Sequence, residues 1–374
     1  TGDFTLLATT LQSDPYLGRI LTGKIASGKA VRNMAIRALD REGHIIEDGR
    51  ASQLLAFRGL ERVNVNEAEA GDIIAIAGLT KATVADTICA PSITQAIDSQ
   101  PIDPPTLSMG FSINDSPLAG TEGNKVTSRV ILDRLTSEAE GNVALHITQT
   151  ADSNSFEVAG RGELQLAVLI ETMRREGFEL TISRPRVVYR TDPETAERLE
   201  PIEEVVIDVD DEYSGTVVEK LSARKGEMRE MKSAGSGKQR LTFHVPSRAL
   251  IGYHGEFLTD TRGTGVINRL FHGYAPHKGP IENRRNGTLI SLGDGKAIAY
   301  ALWKMEDRGP MFINPGDKVY AGMIIGEHSR GNDLEVNPLK GKQLTNIRAS
   351  GKDDSVDLTT PIEMGLDKAI AYIT

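Results

Sequence analysis

The chain has 374 residues, 39% hydrophobic and 25% charged, with 43 Lys+Arg against 52 Asp+Glu for a formal net charge of -9. That is ordinary folded composition with room for about two to four domains, which excludes a disordered chain. The single cysteine, Cys89, excludes an internal disulfide and a cysteine-built zinc site, and no apolar run is long enough to span a bilayer.

With no signal peptide and one thiol, the expected compartment is a reducing cytoplasm, with no membrane partner. The chain opens Thr1-Gly2-Asp3 without a methionine, so a piece of a longer protein is expected. Residues 1–94 predict a small closed β-barrel: short apolar and β-branched segments over 4–11, 17–26, 31–39 and 72–77 are punctuated by glycines. The proline-rich "APSITQAIDSQPIDPP" then reads as a linker.

Over 103–190 the pattern predicts strand, helix (128–138), two strands, helix and strand, the order of a ferredoxin-like α+β sandwich. In the second helix, "GELQLAVLIETMRREG", the residues Leu166, Leu169, Ile170 and Met173 share one face and Gly177 is the stop. The same order recurs over 199–283, with a glycine hairpin at "SAGSGK" and a second helix over 247–258. Residues 284–374 predict a mixed, β-rich C-terminal domain ending in a helix near 362–373.

The net charge conceals a split. Residues 191–219 hold eleven acidic and one basic side chain (-10), whereas 220–285 hold thirteen basic and five acidic (+8). The stretch "TDTRGTGVINRLFHGYAPHKG" (259–279) lies in the basic block and mixes cations with rings and glycines. Guanidinium forks on phosphates, rings stacked on bases and glycine-freed loops are what RNA binding uses, so a polyanion contact is expected here.

Nucleotide motifs fail. "KSAGSGKQ" has Lys232 where a phosphate-binding loop needs glycine and Gln239 where it needs a hydroxyl. "GDGKA" fails at Ile290 and Ala297, and "GNKVT" departs from guanine-reading N-K-x-D at Thr127. Four histidines (His244, His254, His272, His277) fall in the basic block, but their spacing matches no ligand frame, so no metal is expected. No catalytic residue is assigned, since no nucleophile elbow appears. The acidic run 208–212 lacks the calcium-loop pattern and reads as a solvated strand end; Trp303 reads as a core residue.

"GRILTGKIASGKAV" (18–31) and "EAGDIIAIAGLTKATVADTIC" (69–89) resemble the β-barrel that follows the GTPase domain of translational elongation factors. "FEVAGRGELQL" is similar to the third domain of elongation factor G, and "EPIEEVVIDVDDEYSGTVVEKLSARKGEM" to its fifth. Only about ten residues separate the two modules, too few for that factor's inserted domain. Of the relatives lacking the insert, a LepA-type factor is the nearer rival. "HGYAPHKGPI" and "NPLKGKQLTNIRASGKDD" (337–354) resemble the BipA/TypA family.

That resemblance implies a ribosome-associated translational GTPase linked to large-subunit assembly and to stress or cold growth. Its GTP and magnesium would belong to an N-terminal domain absent from this sequence, as is a basic C-terminal tail, so this chain is expected to be neither a GTPase nor cofactor-bound. The implied partners are large-subunit ribosomal RNA and the A-site tRNA, met by a monomer. Carried over, RNA contact falls to Arg330, Asn332, Lys340, Lys342, Arg348 and Lys352, with Arg262, Arg269, His272 and Lys278 from the preceding module. A rival of another class is a metal-assisted hydrolase at His254, His272 and His277.

Overall fold

The computed structural model describes residues 2–14, 16–59, 61–100, 103–150, 154–281, 286–341 and 357–373. Lys342, Arg348 and Lys352 lie outside them. The chain divides into two compact units, residues 1–114 with 120–183 and residues 115–119 with 184–374.

The first unit opens with an eight-stranded antiparallel sheet. Its spatial order is Ile45–Arg50, Ala35–Leu39, Thr87–Cys89, Thr5–Asp14, Gly18–Ser27, Ile73–Ala77, Gln53–Arg58, Glu61–Asn64. The strands at the two ends of this path are not paired with each other among the described residues, so the expected closed barrel is not seen in the ladder. Leu6 and Ala8 point inward, then a bulge between Ala8 and Thr10 resets the alternation so that Leu11 is also buried. Gly23 is required by close approach: a Cβ there would stand 2.0 Å from the Leu7 carbonyl oxygen.

The same unit carries a second antiparallel sheet, ordered His146–Gln149, Ser155–Gly160, Leu107–Ile113, Leu180–Ile182. In chain order that is second, third, first, fourth. The helices Ser128–Gly141 and Glu163–Arg175 accompany it. Leu166, Leu169, Ile170 and Met173 are all buried, as their spacing predicts. The helix stops where Gly177 takes a φ of 86° and Phe178 N–H reaches back to the Met173 carbonyl.

The second unit repeats that strand order. Arg198–Asp210 is central, flanked by Lys238–Pro246 and Val266–Pro276, and Glu227–Gly235 lies outside Lys238–Pro246. Val205, Ile207 and Val209 meet Val217 and Leu221 of helix Asp211–Ala223 and Phe257 of helix Tyr253–Asp260. The single helix expected over 247–258 is broken: a 3₁₀ turn spans Ser247–Leu250, Ile251 is extended, and Gly252 has a φ of 71° before the second helix begins.

In the C-terminal part of this unit, Gly287–Ser291 pairs antiparallel with Ile324–His328 and parallel with Leu334–Val336. Leu289 and Ile325 of this sheet share a core with Leu302 and Met305 of helix Ala299–Met305. The last helix, Leu366–Ile373, buries Ile370 and sets Tyr372 edge-on to Phe312, ring centroids 5.3 Å apart.

Candidate nucleic-acid interface

The basic stretch 259–279 is mostly regular structure. It contains the end of helix Tyr253–Asp260 and the strand Val266–Pro276. The expectation of glycine-freed loops holds in part: Gly263, with a φ of 77°, and Gly265 lie in the turn before the strand, but Gly273 sits inside the strand and the Gly279 carbonyl is held by Arg248 at 2.6 Å.

Its cations are largely committed. Arg269 grips the Glu203 carboxylate at 2.8 and 3.1 Å, and Glu203 is buried. Lys278 Nζ meets Glu227 at 2.7 Å while its backbone N–H donates to Glu200. The reason lies in the topology. The acidic strand Arg198–Asp210 is sandwiched between two basic ones, so Glu203–Arg269 and Asp208–Arg240 form across the ladder. Part of the -10 block is thereby paired with cations of the +8 block. Among the four candidates of this module, Arg262 is exposed, its guanidinium 6.0 Å from the Tyr213 ring. His272 is also exposed, its ring tilted 36° against His244 at 3.9 Å.

A second basic surface lies in the C-terminal part. Helix Ala299–Met305 forms from good helix formers and buries Ala301, Leu302 and Met305. Its other face then presents Tyr300, Trp303 and Lys304, spaced i, i+3, i+4. Trp303 is 46% exposed, which corrects the core reading. Lys304 Nζ sits 4.7 Å from the centre of the Tyr300 ring, and the Tyr300 and Trp303 rings are 6.1 Å apart.

This helix walls a groove of about 630 Å³ lined by Tyr300, Lys304, Arg308, Glu335, Asn337 and Lys340 among others. Three cations face one carboxylate there, and all three are exposed and in no ion pair among the described residues. Lys340 thus joins a site. Arg330 and Asn332 do not line it; they are exposed in the turn after Ile324–His328, where their carbonyls accept from Gly287 N–H and His328. Sequence reading missed Tyr300, Lys304 and Arg308 because it sought cations on glycine-rich loops; the 3.6-residue spacing of "AYALWKMEDR" was the available signal.

The structure offers GTP no cradle in the described residues that carried the nearest motif. "SAGSGK" is the tight turn of a β-hairpin between Glu227–Gly235 and Lys238–Pro246, with no helix N-terminus after it to receive phosphate. Nor do His254, His272 and His277 converge. The metal-capable trios among the described residues are Glu204–His244–His272 and Asp40–Glu42–His44, and neither includes His254 or His277.

Three family models match the chain: elongation factor Tu domain 2 over 16–89, elongation factor G C-terminus over 197–285, and the TypA/BipA C-terminal domain over 286–374. A Salmonella typhimurium protein named large ribosomal subunit assembly factor BipA is 46% identical over 100% of this chain and 61% of its own length. The chain belongs to the BipA/TypA family. Proteins of the same name from Haemophilus influenzae and Synechocystis are 47% and 46% identical over 99% and 98% of the chain, and 60% and 61% of theirs. The chain therefore spans about 61% of the length of these BipA relatives. The LepA-type alternative gives way, since the C-terminal match includes the 337–354 segment. A crystal structure from Thermus thermophilus aligns with 74% of this chain and 56% of that one at 15% identity and a TM-score of 0.48.

Proposed function

We propose that this chain is the ribosome-binding portion of a BipA/TypA translational GTPase, a cytoplasmic monomer that grips large-subunit ribosomal RNA near the A-site tRNA. In this reading GTP and magnesium belong to the region of the relatives that the chain does not span, and the parent is a ribosome-stimulated GTPase in subunit assembly and stress or cold growth. The two sheets of order second-third-first-fourth are read as ferredoxin-like sandwiches, and the eight-stranded sheet as the translation-factor barrel; four modules over 1–94, 103–190, 199–283 and 284–374 would present the basic surfaces.

The observation that carries the reading is the C-terminal groove. Lys304, Arg308 and Lys340 are cations without internal carboxylate partners among the described residues, and they stand beside the half-buried Tyr300 and exposed Trp303. Phosphate pairing with base stacking is the chemistry such a surface supplies. Arg262, Arg330 and Asn332 are supporting contacts, and Lys342, Arg348 and Lys352 remain candidates by family. Arg269 and Lys278 are withdrawn as phosphate contacts because Glu203 and Glu227 already occupy them.

The test is co-sedimentation with purified ribosomes. Lys304→Ala with Arg308→Ala and Lys340→Ala is expected to weaken binding about tenfold or more while leaving the melting temperature unchanged, since all three are exposed. Equal binding by the triple variant would remove the groove from the interface.

A further inference from the structure

The second unit's sheet has a face turned away from its helices. Val205, Phe243 and Val245 point to the helix side. Glu204 and His244 alternate with them and are register partners on neighbouring strands, so both point to the opposite face. On the other flank, Glu203 pairs with Phe271 and Ile202 with Gly273, which leaves His272 as the extra residue of a bulge. Bulges re-aim side chains, and this one brings His272 against the other two: ligand-capable atoms of Glu204, His244 and His272 all lie within 4.8 Å of one another. Nε2 of His244 is 3.6 Å from the Glu204 carboxylate.

We propose that Glu204, His244 and His272 form a site for a borderline divalent transition-metal ion, of which Zn²⁺ is the probe, with three protein ligands and a fourth position open to solvent. Donors about 2.0–2.2 Å from a tetrahedral ion stand roughly 3.4 Å apart, close to the His244–Glu204 separation and within reach of a trio whose atoms all lie within 4.8 Å. Two imidazoles and one carboxylate suit Zn²⁺, Ni²⁺ or Cu²⁺, whereas Mg²⁺ and Ca²⁺ want oxygen.

Arg229 lies against His244. Its Nε donates to His244 Nδ1 at 3.1 Å, which puts the neutral ring's proton on Nε2. A metal on Nε2 shifts that proton to Nδ1, and Arg229 then rests on Glu227, which its other arm already meets at 3.1 Å. No proton is released in that exchange. The site does not rest on the RNA reading, and it claims His272, which that reading offered as an RNA contact, as a metal ligand instead.

The full chain, freed of metal with a chelator, is titrated with ZnCl₂ by calorimetry, and with Co²⁺ for its visible absorption. One saturable site with a tetrahedral Co²⁺ band is expected, with no saturable heat from Mg²⁺. His272→Ala and Glu204→Gln are expected to weaken it about tenfold or more, and both spare the core, since neither side chain is in it. His44→Ala, which breaks the exposed Asp40–Glu42–His44 group, is expected to leave it intact. Absence of binding, full affinity in either sheet variant, or loss with His44→Ala would overturn the assignment.

Discussion

Asp86 is a carboxyl only 6% exposed, in the first unit beside Thr87–Cys89. Burial pushes its pKa up to about 6 against an ordinary 3.8; the Thr83 N–H, donating at 2.7 Å, works the other way, and Asp40 and Glu47 add to the rise. The fold therefore prefers the protonated form. Its contribution is fully present below pH 3.8 and is lost as pH rises through about 6, a cost that reaches at most about 3 kcal/mol by pH 7. Asp86→Asn keeps an acceptor for Thr83 and removes the charge. The variant is expected to gain on wild type from about pH 4 to pH 7 in denaturant melts; a stability difference independent of pH would refute the assignment. Nothing in a lone Asp between Ala85 and Thr87 announces this. Charge counting has the same blind spot at Arg269 and Lys278: the cations are legible in the sequence, but Glu203 and Glu227, more than fifty positions away, become partners only through the strand order.

At the scale of elements, local pattern is a good guide wherever one period rules. The Leu166–Met173 stripe and the Gly177 stop are set by neighbours within two turns. Boundaries fail where distant packing decides. Gly252 splits the expected helix with a φ of 71°, and only glycine fits there, since a Cβ would stand 2.8 Å from that of Ala371 in the last helix. The "HKG" end of the basic stretch reads as a hinge and is a clasp. Glu200, fully buried, takes the Arg248 guanidinium on both oxygens and the Lys278 N–H at 2.7 Å, while Arg248 also holds the Gly279 carbonyl. Removing one partner of such a pair strands a buried charge, so Arg248→Ala is expected to cost about 3–5 kcal/mol. Arg248→Lys is expected to recover only part, lacking the fork. Melting and hydrogen exchange at the Lys278 amide check this; unchanged protection in Arg248→Ala would show that the clasp does not hold the segment.

At the scale of the whole molecule, the family is readable because several independent motifs stand in order, and the matches over 16–89, 197–285 and 286–374 bear the family out. The binding surface is less readable. Net charge of a block says little once an acidic strand is threaded between basic ones, whereas a helix that buries three residues and exposes Trp303 and Lys304 beside the half-buried Tyr300 leaves Lys304 free of that cancellation. The proposed function stands or falls on unpaired cations around one groove holding ribosomal RNA. Its sharpest test is ribosome binding by this chain across a salt series, wild type beside Lys304→Ala/Arg308→Ala/Lys340→Ala. Affinity is expected to fall steeply with salt in the wild type, with a log–log slope shallower by about two to three in the variant, as three lost phosphate contacts require. Binding insensitive to salt, or the same slope in both proteins, would contradict it.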